Sequence, residues 1–425
     1  MQKTLIITIF CIFLYSCKKS DQTIQPALQL PTVTTSTTGT ITTTSVIVSG
    51  IVSTDGGATV TGRGFCWGTS PGVVISGNNY VNSGTGIGTY STSLSGLLPG
   101  TVYYVRAFAT NSAGTAYGNE LSFTTTTPNY NIYVAGTLYN GSREIAAVWK
   151  NGVVTQLSDG TRQAYARAVF VSGSDVYVAG FERNLTNTFG IATIWKNGVG
   201  TVLTTAPNTA SDAFAVYVDG TAVYVAGYEE TGAGQVAKIW KNGIATSLTT
   251  AQASSMATGV AVSGTDVYAC GYNTNGKATY WKNGTPTYLN FGTAVSGIFV
   301  NGADISITGI TGGSSWLWHN TVTTNFPGTN AFSSIYVLGG DTYITGTLNN
   351  LPTVWKNGIS TTLPYVGGGE TFSVFAIGTD VYVAGDQYNA GTSVARYWKN
   401  GVATDLPKPP TATGYSIGYS IYVTP

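Results

Sequence analysis

Very little in this sequence could carry nucleophilic or metal chemistry. A Ser-His or Cys-His pair needs a histidine beside the nucleophile, and His319 is the only histidine in 425 residues. It stands at a turn position that lysine fills in six sister segments, so no catalytic residue is expected. No C-x-x-C or H-E-x-x-H spacing occurs, which leaves no zinc ligand set and no reason to expect a metal or other cofactor. Recognition chemistry is better supplied. Tyr139, Glu182, Arg183, Tyr228, Glu229, Glu230, Tyr272, Trp316, Asp386 and Tyr388 fall in segments that vary between otherwise repeating units. Rings that stack on a sugar, beside carboxylates that accept from its hydroxyls, suit a glycan. Variable connections on a rigid scaffold are also where binding residues concentrate. The same acids, Glu182, Glu229, Glu230 and Asp386, are the only material for an enzyme, a glycoside hydrolase or lyase whose paired carboxyls stand roughly 5–9.5 Å apart.

Those residues need elements to hold them, and the elements repeat. Trp-Lys-Asn-Gly occurs at 149–152, 195–198, 240–243, 281–284, 355–358 and 398–401, with a seventh, altered copy at Trp318-His319-Asn320-Thr321. A period of roughly 40–50 residues is that of propeller blades. Within one unit, residues 166–173, 175–180, 191–196 and 199–203 read as four strands, rich in Val, Ile, Tyr and Phe. Asn-Gly between the third and fourth strands is the signal of a two-residue type I′ hairpin. The region enters on Asn131–Gly136, which matches a second strand, and leaves on Tyr419–Val423, which matches a first. A ring of seven sheets would therefore close by pairing these two ends, leaving no exposed edge. The seven repeated Trp residues read as packing, because every unit needs one. The turn lysines 150, 196, 241, 282, 356 and 399 share an end with Asp175, Asp219, Asp266, Asp304, Asp341 and Asp380, which suggests a solvated rim.

Composition narrows the class. Charged residues are 9 %, Gly numbers 55 and Tyr 27, a profile that fits an all-β extracytoplasmic protein. Nineteen Lys and Arg against 18 Asp and Glu leave a net charge of +1, so nucleic acid is not an expected partner. Four cysteines form no disulfide framework. Cys66 and Cys270 read as small buried apolar residues.

Two further segments carry resemblances. Met1–Lys3 and the apolar run Thr4–Leu14 have the size of a signal peptide, too short for a spanning helix. Leu14-Tyr15-Ser16-Cys17 resembles the lipobox of bacterial lipoproteins, which implies cleavage after residue 16 and lipid on Cys17. Residues 17–30 then read as a tether, and a lipid anchor on the cell envelope, most simply the outer membrane, is the expected location. Whether it faces the periplasm or the exterior stays open. Residues 31–127 show Thr/Val/Ile-rich segments between turn clusters, the signature of an antiparallel sandwich. Leu97-Leu98-Pro99-Gly100-Thr101-Val102-Tyr103-Tyr104-Val105-Arg106-Ala107 is similar to the corresponding stretch of fibronectin type III domains. The resemblance implies that the Tyr103 hydroxyl ties back to the preceding corner. Trp67 reads as a core residue of a middle strand. In residues 128–425, the pattern A-x-x-W-x-N-G-x-x-x-x-L, as in Ala146–Leu157, resembles HAF-type repeats of secreted bacterial proteins. The expected fold is an all-β chain, a fibronectin type III-like sandwich followed by a seven-bladed propeller. The expected function is binding of a glycan or a protein through the variable segments. A purely structural or adhesive role and the glycosidase are the alternatives.

Overall fold

The computed structural model describes residues 27–186, 188–204, 209–250, 254–273, 275–389 and 391–425. The signal segment and Cys17 lie outside them. The chain divides into two compact units, residues 1–129 and 130–425. Both are all-β, and among the described residues there is no helix and none that could cross a membrane.

In the first unit a three-stranded sheet (Thr32–Ile41, Ser45–Thr54, Gly88–Ser95) shares one core with a five-stranded sheet built on Gly62–Gly68 and Val102–Asn111. Alternation along Ser45–Thr54 turns Val46, Val48 and Val52 inward against Phe65, Val105 and Phe123. Trp67 packs half-buried on that core. The Leu98 N–H donates to the Tyr103 hydroxyl at 3.0 Å, fixing the corner before its strand. Cys66 here and Cys270 in the second unit are free and buried. Burial pushes their thiols up to about 11 and about 12, so neither ionises at neutral pH to act as a nucleophile.

Among the described residues, the second unit contains seven four-stranded antiparallel sheets. Six are consecutive hairpin runs, as in Ala164–Ser172, Asp175–Arg183, Gly190–Lys196 and Val199–Val202. The seventh joins the two ends of the unit: Ser416–Thr424 pairs with Asn131–Tyr139, Ile421 opposite Val134. The first strand of each sheet packs on the first strand of the next. Ser416–Thr424 packs on both Thr371–Ile377 and Ala164–Ser172, so the series returns on itself.

Three local devices repeat through it. Asn151, Asn197, Asn242, Asn283, Asn357 and Asn400 take φ near 50°, each followed by a glycine near 80°, as a type I′ turn requires. Each Asn side chain also accepts from the N–H of the second residue of its second strand, such as Val176 at 2.8 Å from Asn197, locking one hairpin to the next. Trp149, Trp195, Trp240, Trp281, Trp318, Trp355 and Trp398 are all buried. Each fills the space between sheets, as Trp195 does against Tyr133 and Ala135 of the preceding one. The third device is a β-bulge. Every first strand slips register by one residue opposite a second-strand glycine: 136, 180, 227, 271, 309, 346 or 385. A Cβ there would stand between 1.9 Å and 2.2 Å from a carbonyl oxygen of the first strand, so only glycine fits.

Candidate functional site

The second strands run further than their apolar patterns suggest. Asp175–Arg183 and Ala222–Thr231 stay paired on both sides past the bulge, while Asp380–Asn389 stays paired with its third strand and donates from Asp386 and Tyr388 to the Glu370 and Gly368 carbonyls on the other side. The ladder therefore holds residues that sequence placed on connections: Tyr139, Glu182, Arg183, Tyr228, Glu229, Glu230, Tyr272, Asp386 and Tyr388 all lie within strands. Strand pairing fixes their direction, and several are engaged by partners outside the set.

Glu182 is ion-paired to Arg162 at 2.8 Å, while Arg162 also donates to the Arg183 carbonyl at 3.1 Å. Glu229 pairs with Lys238 at 3.0 Å. Tyr139 stacks on Tyr415 at 5.1 Å, and Tyr228 on Phe214 at 6.1 Å. Tyr272 is half-buried, and Glu230 stands exposed. Trp316 corrects its placement most clearly. It lies in the third strand Ser314–His319, 1 % exposed, with its ring edge-on to Phe291 and over the Gly309 backbone. A residue so enclosed by packing offers no face to a ligand.

Two polar clusters lie beside these residues. The Tyr415 hydroxyl donates to Glu144 at 2.6 Å and Gln163 Nε2 donates to its other oxygen at 2.8 Å. Burial pushes Glu144 up, but these hydrogen bonds bring it below its ordinary value. Arg167, the bulged residue of its strand, forms a partly buried bidentate pair with Asp212 and lies over the Tyr165, Phe181 and Phe214 rings.

Asp386 and Tyr388 are different: they meet in a cavity of about 510 Å³ between two neighbouring sheets. Asn330, Thr347 and Asn350 line it from one sheet, and Glu370, Asp386, Tyr388 and Ser393 from the other. Asp386, 7 % exposed, accepts the Glu370 N–H at 3.0 Å, and Ser393 hydrogen-bonds to its carboxylate. Tyr388 beside it is 50 % exposed. The segment Gly367-Gly368-Gly369 lies directly against this strand. Cβ atoms on Gly367 and Gly369 would stand 2.5 and 2.6 Å from the carbonyl oxygens of Tyr388 and Asp386. Burial pushes the Asp386 carboxyl up, and burial together with the Asp386 charge does the same to Glu370. Two acids therefore share a cavity in which both resist ionisation. No lysine or arginine lines it, and no metal-ligand cluster exists among the described residues.

Sequence reasoning missed Asn330, Asn350, Glu370 and Ser393, which sit at strand starts or in turns of two units and meet only through sheet packing. It also missed a set of rings that was legible. Phe170, Tyr217, Phe299, Tyr336, Phe375 and Tyr422 occupy one position, third from the end of the strand, in six of seven first strands; the seventh has Ala261. Successive rings touch at 4.6–5.2 Å, from Tyr217 through Phe170, Tyr422, Phe375 and Tyr336 to Phe299.

No family model and no curated protein matches the sequence. Among solved structures the chain is similar to a DUF4784 family protein from Bacteroides caccae. The two are 9 % identical with a TM-score of 0.25, over 92 % of this chain and 98 % of that one. A likeness of that size transfers neither fold nor function.

Proposed function

We propose that this is a lipid-anchored envelope protein whose C-terminal unit is a seven-bladed propeller that binds a glycan in the Asp386–Tyr388 cavity. Its N-terminal unit is then a fibronectin type III-like spacer. The propeller reading is supported by seven four-stranded sheets whose first strands pack in a closed series. The spacer reading is supported by two sheets over one core and by the Tyr103 corner. Lipid on Cys17 of the mature chain would hold the protein at the outer membrane.

One observation carries the ligand assignment: an exposed tyrosine ring stands beside two carboxamides, two carboxyls and two hydroxyls in a single cavity. Its volume lies in the range of small-ligand sites, about 300–1,000 Å³. A sugar needs this mixture, since its ring has an apolar face to stack and its hydroxyls both donate and accept. With two acids and no cation in the lining, the sugar is neutral. A glycoside hydrolase is the second reading, favoured by the raised carboxyls of both Glu370 and Asp386, because a general acid must hold its proton at working pH.

The test is a titration of the full chain against a panel of neutral and acidic oligosaccharides, with released sugar assayed in parallel. Saturable binding of a neutral member that Tyr388→Ala weakens about tenfold, as expected for one lost stacking contact, supports the lectin reading. Sugar release abolished by Glu370→Gln and Asp386→Asn would make the protein an enzyme. Binding unchanged in Tyr388→Ala, or no binding at all, overturns the site.

A further inference from the structure

The chain of six rings ends at both sides of Ala261. Beyond it a cavity of about 620 Å³ extends to the turns at the opposite end of the sheets from the Asp386 cavity. Its walls include Tyr217, Phe299, Tyr336, Phe375 and Tyr422, and Val260–Gly264 lines it where a seventh ring would stand, with only the small Ala261 side chain, 6 % exposed, at that position. Asp219, Ser263 and Asn301 form the rim on the two sides of this gap. Asp219 is the sole charged residue of the lining. Asp175, Asp266, Asp341 and Asp380 in the surrounding turns are each ion-paired to a lysine, at 2.7–2.8 Å, but Asp219 has no such partner among the described residues. It stands close enough to Tyr217 to reinforce what burial does, which is to keep that phenol protonated. Tyr336 is raised by burial too, and Tyr422 reaches about 12.

We propose that the Ala261 gap is a binding site for a quaternary ammonium group, held between the Tyr217 and Phe299 rings with Asp219 as its counter-charge. Three features of the cavity select this chemistry. An aromatic wall and an unpaired carboxylate both attract a cation, and nothing positive lines the cavity to oppose one. Spacing agrees: neighbouring rings lie 4.6–5.2 Å apart, so the two rings flanking Ala261 are two steps apart, about 10 Å at most. A cation at the midpoint then lies within the roughly 6 Å reach of both rings. A flat ring stacked between two faces would need only about 7 Å and would lie loose there. Finally, the bulk of a methylated ammonium displaces water that a compact, strongly hydrated ammonium would retain. This site is independent of the glycan reading, since the two cavities share no residue.

The test titrates the full chain with choline and with its uncharged isostere 3,3-dimethylbutan-1-ol, followed by calorimetry or ligand-observed NMR. Choline binds saturably and the isostere about tenfold more weakly or worse. Asp219→Asn weakens choline without changing the isostere, and Ala261→Phe, which supplies the ring that six sister strands carry, abolishes choline binding. Equal affinity for the two compounds, no saturable binding of choline, or choline binding unchanged in Ala261→Phe overturns the proposal. Should Ala261→Phe fail to fold, Asp219→Asn decides, and an unchanged choline affinity in that variant overturns it as well.

Discussion

Gly180 lies so close beneath Tyr165 that a Cβ on the glycine would stand 1.9 Å from the tyrosine's carbonyl oxygen. That contact belongs to the bulge that bends the first strand, and its counterpart is present in all seven sheets. The obstacle is backbone, which cannot swing aside as a side chain can. Gly180→Ala should therefore cost more than about 3 kcal/mol, in the tail reserved for forced backbone displacement. Chemical denaturation measures it. Gly173→Ala, with nothing within 4 Å of its added Cβ but a φ of 59°, should cost only about 1 kcal/mol of left-handed strain.

The turn at Lys356-Asn357-Gly358 separates a residue that shapes the hairpin from one that decorates it. Asn357 holds φ at 51° and its side chain accepts the Thr342 N–H at 2.8 Å. Asn357→Ala loses both the left-handed preference and the hydrogen bond, together about 2 kcal/mol. Lys356 meets Asp341 at 2.8 Å, but in open solvent. Lys356→Ala should leave the thermal midpoint unchanged, because exposed ion pairs are screened and entropically offset.

The Asp386 cavity predicts a pH signature. Its carboxyl and that of Glu370 are raised in the folded chain, so the folded state binds more protons than the unfolded state. Their contribution favours the fold below the ordinary carboxylate range and is lost as pH rises through the folded values. Asp386→Asn keeps an acceptor for the Glu370 N–H and removes the desolvated charge. It should raise stability at pH 7 by about 1 kcal/mol and give a smaller gain at pH 4, because a carboxyl raised above its ordinary value carries more of its proton there. Paired unfolding curves at the two pH values test this. A gain of equal size at both would place the effect in packing instead of charge.

The closing strand makes a prediction about cooperativity. Removing residues 414–425 deletes Ser416–Thr424, which pairs with Asn131–Tyr139 and packs on the first strands at both sides. The truncated chain should lose its single transition and unfold earlier or in steps by calorimetry. One unshifted transition would mean that closure contributes nothing to the unit.

The repeating features were legible because each arises from local physics. Asn-Gly requires positive φ at two successive residues wherever it stands, a period-2 apolar pattern requires a face to cover, and a Trp in each unit requires a space of its own size. The unmatched strands at the two ends of the region likewise imply their own pairing. The collar of aromatic residues was written just as plainly, at one position in six of the seven first strands, but its meaning depends on those strands packing on one another.

The site was less legible, for a different reason. Along Phe181-Glu182-Arg183 or Asp386-Gln387-Tyr388 no apolar alternation marks a strand, so these segments read as connections. Backbone hydrogen bonding continues on both sides regardless, because hydrogen bonds between backbones do not depend on side-chain polarity. That pairing then directs each side chain. Glu182 and Glu229 turn to cations within their own units, Trp316 turns into the core, and Asp386 and Tyr388 turn into a space shared with Asn330 and Asn350. The number of units, their turns and their packing residues are thus properties of the sequence read locally. Which acids are neutralised within the fold, and which are left to meet a ligand, is decided only when separate sheets pack and remove some side chains from water while leaving others in it.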